Sequence, residues 1–183
     1  GPFFNSTGDT ICWRRFSSDG HNAEIYTMSL DTRKENRLTN LEVMSWAPYF
    51  HPSNKYIIFS TNIHGFNNFE LYIVDSKGQK DPVRVTVREG FDGLPSFSPD
   101  GQTLSWTSNQ TNSGKSQIFL AKWNHDLALE KLGLSVFDSA SQNTNSKPSS
   151  FPITVSDISA NDTKLHIDFL TNDNLEGRQT GTK

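Results

Sequence analysis

One phrase returns three times along the chain. It reads Pro2-Phe3-Phe4-Asn5-Ser6-Thr7-Gly8, then Pro48-Tyr49-Phe50-His51-Pro52-Ser53-Asn54, then Pro95-Ser96-Phe97-Ser98-Pro99-Asp100-Gly101, at offsets of 46 and 47 residues. A fixed period in this range marks a repeat architecture, in which each unit buries its apolar faces against its neighbours and not within itself. The rest of the unit repeats as well. Thr10-Ile11-Cys12-Trp13 corresponds to Tyr56-Ile57-Ile58-Phe59-Ser60-Thr61-Asn62 and to Thr103-Leu104-Ser105-Trp106-Thr107-Ser108-Asn109. Glu24-Ile25-Tyr26 corresponds to Glu70-Leu71-Tyr72 and Gln117-Ile118-Phe119, and two units close on Arg37-Leu38-Thr39 and Arg84-Val85-Thr86.

Each unit thus offers four short apolar or β-branched runs separated by Gly, Asn, Asp, Ser and Pro, which reads as four strands joined by tight turns. Four strands per unit is a propeller blade. In Tyr56-Ile57-Ile58-Phe59 both faces of the strand are apolar, as a blade sandwiched between two others requires; a sheet with one wet face alternates more cleanly. The fold class predicted is all-β, a partial propeller of three four-stranded blades over residues 1–123. Propellers are built from typically four to eight blades, so further blades are expected before residue 1.

The repeat stops at a definable place. Where a fourth strand should follow Gln117 to Trp123, the chain reads Asn124-His125-Asp126-Leu127-Ala128-Leu129-Glu130-Lys131-Leu132-Gly133. Asn124 is an N-cap, Asp126 and Lys131 suit the two ends of a helix dipole, and Gly133 is a C-cap. Residues 124–133 are therefore a short helix that ends the propeller. Residues 134–157, rich in Ser, Asn and Thr with Pro148 and Pro152, read as a linker. In 158–183, Ser159-Ala160-Asn161-Asp162 has the form of a capping box with Asp in place of Glu, and Leu165, Phe169 and Leu170 give a partial helical stripe leading into a polar loop.

Charge and composition narrow the function. The net charge is −3 with 20% charged residues, which gives no electrostatic reason to seek nucleic acid. No run approaches the roughly 20 apolar residues of a membrane span. The single cysteine, Cys12, lies on a predicted strand and reads as a buried structural thiol.

The pattern Pro-x-Phe-Ser-Pro-Asp-Gly, a strand ending in Ser-Asn, then Ile-Tyr and Leu-Thr, resembles the TolB-like propeller repeat, and Pro95 to Asn109 matches it closely. The second unit has Pro52-Ser53-Asn54 at the turn and the first lacks the second proline; Asn and Gly both tolerate the left-handed backbone. WD repeats and kelch repeats fit less well, for want of a Trp-Asp pair and of paired glycines. A second resemblance covers the last seventh of the chain. Leu175-Glu176-Gly177-Arg178 with Thr180-Gly181-Thr182 is similar to the opening of the co-catalytic zinc aminopeptidases of metallopeptidase clan MH, family twenty-eight. That resemblance implies a parent with two zinc ions held in a downstream α/β domain and a Glu as general base for the attacking water. It also implies a periplasmic or secreted location. It transfers no catalytic or metal-binding residue to this chain, so zinc belongs to the parent and the fragment itself is expected to be inactive.

Other chemistry is excluded residue by residue. His166-Ile167-Asp168 looks like a His-x-Asp zinc motif, but residues two apart on a helix point to nearly opposite faces. There is no Gly-x-Ser-x-Gly, His-Glu-x-x-His, Cys-x-x-Cys or phosphate-cradling loop. His21, His51, His64 and His125 read as turn residues, and Asp31-Thr32-Arg33-Lys34 and Asp75-Ser76-Lys77-Gly78 as matching hairpin turns. Asn5-Ser6-Thr7, Asn109-Gln110-Thr111 and Asn161-Asp162-Thr163 fit the glycosylation pattern and are taken as accidental.

Three functions remain: the non-catalytic propeller of a zinc aminopeptidase, gating or selecting its substrate; a TolB-like protein-binding scaffold with no enzymatic activity; and a structural half-propeller whose open edges make it self-associate. The partner expected is a protein or peptide. Propellers bind at the loops around the central channel, here Leu41 to Trp46 and Glu89 to Gly93, so Trp46 and Phe91 are the candidate binding residues.

Overall fold

The structure, a computed structural model, describes residues 1–134. The predicted linker residues 135–157 and the whole predicted peptidase segment 158–183, with His166 and Asp168, lie outside the described residues.

Three antiparallel sheets follow one another along the chain. The first is β1 (Phe3–Phe4), β2 (Thr10–Phe16), β3 (Ala23–Ser29) and β4 (Glu35–Arg37), hydrogen-bonded in that order. The second is β5 (Ser45–Phe50), β6 (Tyr56–Thr61), β7 (Glu70–Asp75) and β8 (Val83–Arg84), again in sequence order. The third is β9 (Asp92–Phe97), β10 (Thr103–Ser108) and β11 (Gln117–Lys122). It has three strands among the described residues where the period predicts four, because the chain turns into helix α1 (His125–Lys131) after β11.

The repeated phrase is a repeated turn. In each sheet the first hairpin closes with the same backbone bond: Gly8 N–H to Asn5 C=O, Asn54 N–H to His51 C=O, and Gly101 N–H to Ser98 C=O. The donor residue is left-handed in all three, with φ of 74°, 59° and 71°. Gly and Asn adopt that conformation at least cost, which is why the phrase ends in Gly, Asn and Gly. A second left-handed position also recurs. Ala47 (φ 50°) and Leu94 (φ 55°), 47 residues apart, sit at bulges in β5 and β9, where the pairing register slips.

The core lies between sheets. Cys12, Ile25, Leu38 and Phe50 meet Ile57, Phe59, Tyr72 and Val74 in one cluster between the first two sheets. Tyr56, Ile58, Leu71 and Ile73 meet Phe97 and Leu104 in another between the second and third. Successive residues of β6 thus serve opposite clusters, and every residue of β6 and β7 is buried. Burial of one such side chain is worth roughly 1.5–3 kcal/mol. Cys12 is buried in the first cluster, and burial pushes its thiol up to about 12, so it is an inert packing group.

Helix α1 belongs to the second cluster. The Asn124 side chain accepts from Leu127 N–H at 3.0 Å, Asp126 lies in the first turn and Lys131 in the last, and Gly133 has φ 61°. Ala128, Leu129 and Leu132 are buried against the residues of the second and third sheets.

Candidate functional site

The loops that lead into β5 and β9 are held by side-chain amides. The Asn62 carbonyl oxygen accepts from Met44 N–H at 2.9 Å, and 47 residues on the Asn109 carbonyl oxygen accepts from Phe91 N–H at 2.8 Å. The backbone answers in both places, Asn62 N–H to Met44 C=O and Asn109 N–H to Phe91 C=O. The asparagine that ends the second strand of these two units is thus a clamp. Gly90 is required there: a Cβ on it would meet the Asn109 Oδ1 at 2.5 Å. Asn109, the asparagine of one glycosylation pattern, is committed to this bond. The Asn5 amide of another pattern donates to Thr7 and Asp9.

The clamped loops bring aromatic rings together. Phe69 and Phe91 are joined by a backbone bridge, Phe69 N–H to Gly90 C=O and Asp92 N–H to Phe69 C=O, which ties the second sheet to the third. Their rings lie 5.9 Å apart, and Trp46 packs 5.8 Å from each. The Arg14 guanidinium stands over the Trp46 ring at 6.0 Å and over Phe16 at 4.8 Å. Beside this cluster opens a groove of about 710 Å³, lined by Met44, Ile63, Phe66, Phe69, Phe91 and His21 among others. Phe66 is 85% exposed in it.

The two candidate binding residues are therefore in contact with one another. Phe91 lines the groove, while Trp46 stands behind it and supports the rings that do. Sequence reasoning missed Phe66 and Phe69. The signal was available in Ile63 to Phe69, the loop between β6 and β7, which carries Ile63 and two phenylalanines among polar residues and a glycine.

The acidic residues are structural. Glu24 accepts from the Thr39 hydroxyl, from Leu41 and Glu42 N–H at 2.8 Å each, and pairs with Arg37 at 3.2 Å. Fully buried Glu70 takes two guanidinium bonds from Arg84. Asp92 accepts from Trp106 Nε1 at 3.2 Å and Gln110 Nε2 at 2.9 Å, and burial pushes its carboxyl above the usual range. Asp75 accepts from Lys77, Gln79 and Lys80 N–H, closing its hairpin with its own carboxylate. Among the described residues no group of three or more His, Cys, Asp or Glu could hold a metal ion.

Three of the four histidines lie in or beside turns as expected, and His125 does not. His51 is in a turn but buried, stacked on Tyr56 at 4.6 Å and on His125 at 4.5 Å. His125 opens α1, and His64 bonds the Tyr72 hydroxyl at 2.6 Å. His21, at the groove, and His64 are exposed loop residues.

A family model described as the TolB beta propeller domain matches residues 1–175. The chain belongs to that family. Among solved structures, the putative TolB from Agrobacterium tumefaciens matches with TM-score 0.57 and 21% identity over 67% of this chain and 46% of that one. TolB from Acinetobacter baumannii matches with TM-score 0.56 and 25% identity over 68% of this chain and 30% of that one. The tricorn protease, at TM-score 0.52 and 16% identity, shares the fold over 81% of this chain and 16% of that one. The TolB propeller described above thus spans less than half the length of either TolB protein. No helix among the described residues is long and apolar enough to cross a membrane.

Proposed function

We propose that this TolB propeller is a non-catalytic module that captures a polypeptide in the groove at its loop end, as part of a larger periplasmic or secreted protein. The observation that carries the reading is the groove itself. An almost wholly exposed phenylalanine, Phe66, stands beside Phe69 and Phe91, with Phe91 on a loop held by the Asn109 clamp and Phe69 bridged to it through the backbone. Exposed aromatic groups on a rigid frame bind apolar side chains at low entropic cost. The wider frame of the reading is a zinc aminopeptidase whose substrate the propeller selects. Its support is the Leu175-to-Thr182 resemblance in the sequence. A TolB-like scaffold with no enzymatic activity shares the groove and differs in what the gene encodes beyond Lys183.

Phage-displayed peptides selected on the chain test the groove. Peptides rich in aliphatic or aromatic residues are expected to enrich, and calorimetry on the best of them should show Phe66→Ser and Phe91→Ala each weakening binding by roughly tenfold or more. Phe4→Ser, on a strand outside the groove, should leave affinity unchanged. Equal binding by wild type and both groove variants overturns the reading. Extending the coding sequence past Lys183 separates the two frames: an α/β domain with five metal ligands supports the peptidase, and a stop codon removes it.

A further inference from the structure

At the opposite end of β5 and β6 from the groove, three rings from two elements stack on one another. His51 and His125 lie 4.5 Å apart with an interplanar angle of 7°, and Tyr56 lies 4.6 Å from His51 and 5.6 Å from His125. Phe97 of β9 meets His51 edge-on at 4.8 Å, and Trp123 packs on Phe97 at 5.1 Å. We propose that this stack is an acid-operated latch, which holds α1 on the seam between the second and third sheets at neutral pH and releases it on acidification.

The hydrogen bonds assign both imidazoles as neutral. Ser53 N–H donates to His51 Nδ1 at 3.1 Å, and the Ser53 hydroxyl lies 2.9 Å from the same nitrogen, so Nδ1 carries a lone pair while the hydroxyl turns its proton to it. His51 Nε2 lies 3.2 Å from Gly101 C=O, an acceptor, so that nitrogen carries the proton. Trp123 Nε1–H donates to the Tyr56 hydroxyl at 2.7 Å, leaving that hydroxyl to donate its own proton to His125 Nδ1 at 2.9 Å. A second proton on His51 would face the Ser53 amide hydrogen and force the Ser53 hydroxyl from donor to acceptor, and it would place a charge in a site where the residue is 4% exposed. A second proton on His125 would meet the Tyr56 hydroxyl hydrogen and would sit at the positive end of a helix.

The charged groups around the stack leave this balance in place. Lys55, beside β6, opposes a charge on His125, Asp126 of α1 favours it, and His125 opposes a charge on His51. From β9 comes only Phe97, and from the segment before α1 only Trp123. No carboxylate forms an ion pair with either histidine among the described residues. Burial accordingly lowers His51 to about 4 and holds His125 below its ordinary value.

The sign follows from linkage. The folded value of His51 lies below the unfolded 6.5, so the stability of the neutral stack is complete above about pH 6.5 and is lost as the pH falls towards 4. What lets go is α1. Its seven residues cannot remain helical alone, and its hold is the burial of Ala128, Leu129 and Leu132. Release would expose Tyr56 and the apolar seam behind it.

Hydrogen exchange on the full chain, corrected for intrinsic rates, tests the latch between pH 7.5 and 4. The amides of Ala128 and Leu132, which bond the carbonyls of Asn124 and Ala128, should lose protection by roughly tenfold or more across this window while β6 and β7 keep theirs. His51→Phe combined with His125→Phe should make α1 protection independent of pH. In the wild type, imidazole nitrogen shifts should show His51 gaining its proton together with the opening, which keeps the test intact if the double variant fails to fold. The proposal falls if α1 protection stays flat while His51 titrates, or if α1 and β6 lose protection together.

Discussion

The second and third sheets are built from the same repeat and have different surroundings. β6 and β7 are buried on both sides, whereas β11 has no outer strand among the described residues and leaves Ile118 77% and Leu120 46% exposed. Their sequences differ at the residues that joined the missing strand. Where the first two sheets have Glu24 and Glu70 answered by Arg37 and Arg84, the third has Gln117 and no arginine at the matching place. A buried carboxylate without its guanidinium is costly, so the two charges are absent together. The repeat therefore encodes paired groups rather than isolated strands, and where one element goes its partner changes with it.

The largest expected effect lies in the sandwiched sheet. Phe59→Ala should cost about 3–5 kcal/mol, since the ring is fully buried between two sheets. Leu120→Ala in β11 should cost less than about 1 kcal/mol, since nearly half of that side chain is already in water. Urea unfolding of both variants measures the difference, and comparable losses would break the comparison. The ion pair comes next. Glu70→Gln is expected to cost about 2–3 kcal/mol, because the buried site is left without the charge that Arg84 answers. Gln117→Glu, in the exposed strand, should be neutral within about 0.5 kcal/mol. Salt would sharpen the contrast by leaving the buried pair largely unscreened.

Most of the fold was legible because the period exposes it. The left-handed residue closing each first hairpin, the sandwiched β6 and the caps of α1 all follow from residue types at fixed offsets: Gly8, Asn54 and Gly101; Tyr56 to Phe59; Asn124 and Gly133. The site was legible only in part. Trp46 and Phe91 stand out because they lie at the entry to β5 and β9 in corresponding segments, but Phe66 and Phe69 belong to a loop whose length and composition do not repeat, and only tertiary pairing brings Phe69 to Phe91. The histidine stack was hidden for the same reason. His51 and His125 are 74 residues apart and meet because α1 folds back onto the seam, a contact no local pattern records.

The smallest expected effect concerns strain common to both sheets. Ala47 and Leu94 hold φ near 50° in bulges of β5 and β9, a conformation that costs a residue with a Cβ about 1 kcal/mol or more. At Leu94 the side chain is 53% exposed, so removing it forfeits little burial. Leu94→Gly should therefore leave stability unchanged or raise it by up to about 1 kcal/mol, relief of strain being set against the greater freedom of glycine in the unfolded chain. Ala47→Gly should do the same, with less burial to lose, and because Ala47 adjoins Trp46 it also reads out the site. If the bulge sets the direction of the Trp46 ring, the freer glycine should weaken peptide binding while stability holds. A bulge that only relieves register would leave binding untouched. A stability loss above about 1 kcal/mol in either variant would show that the side chain, and not the bulge backbone, is what both sheets preserve there.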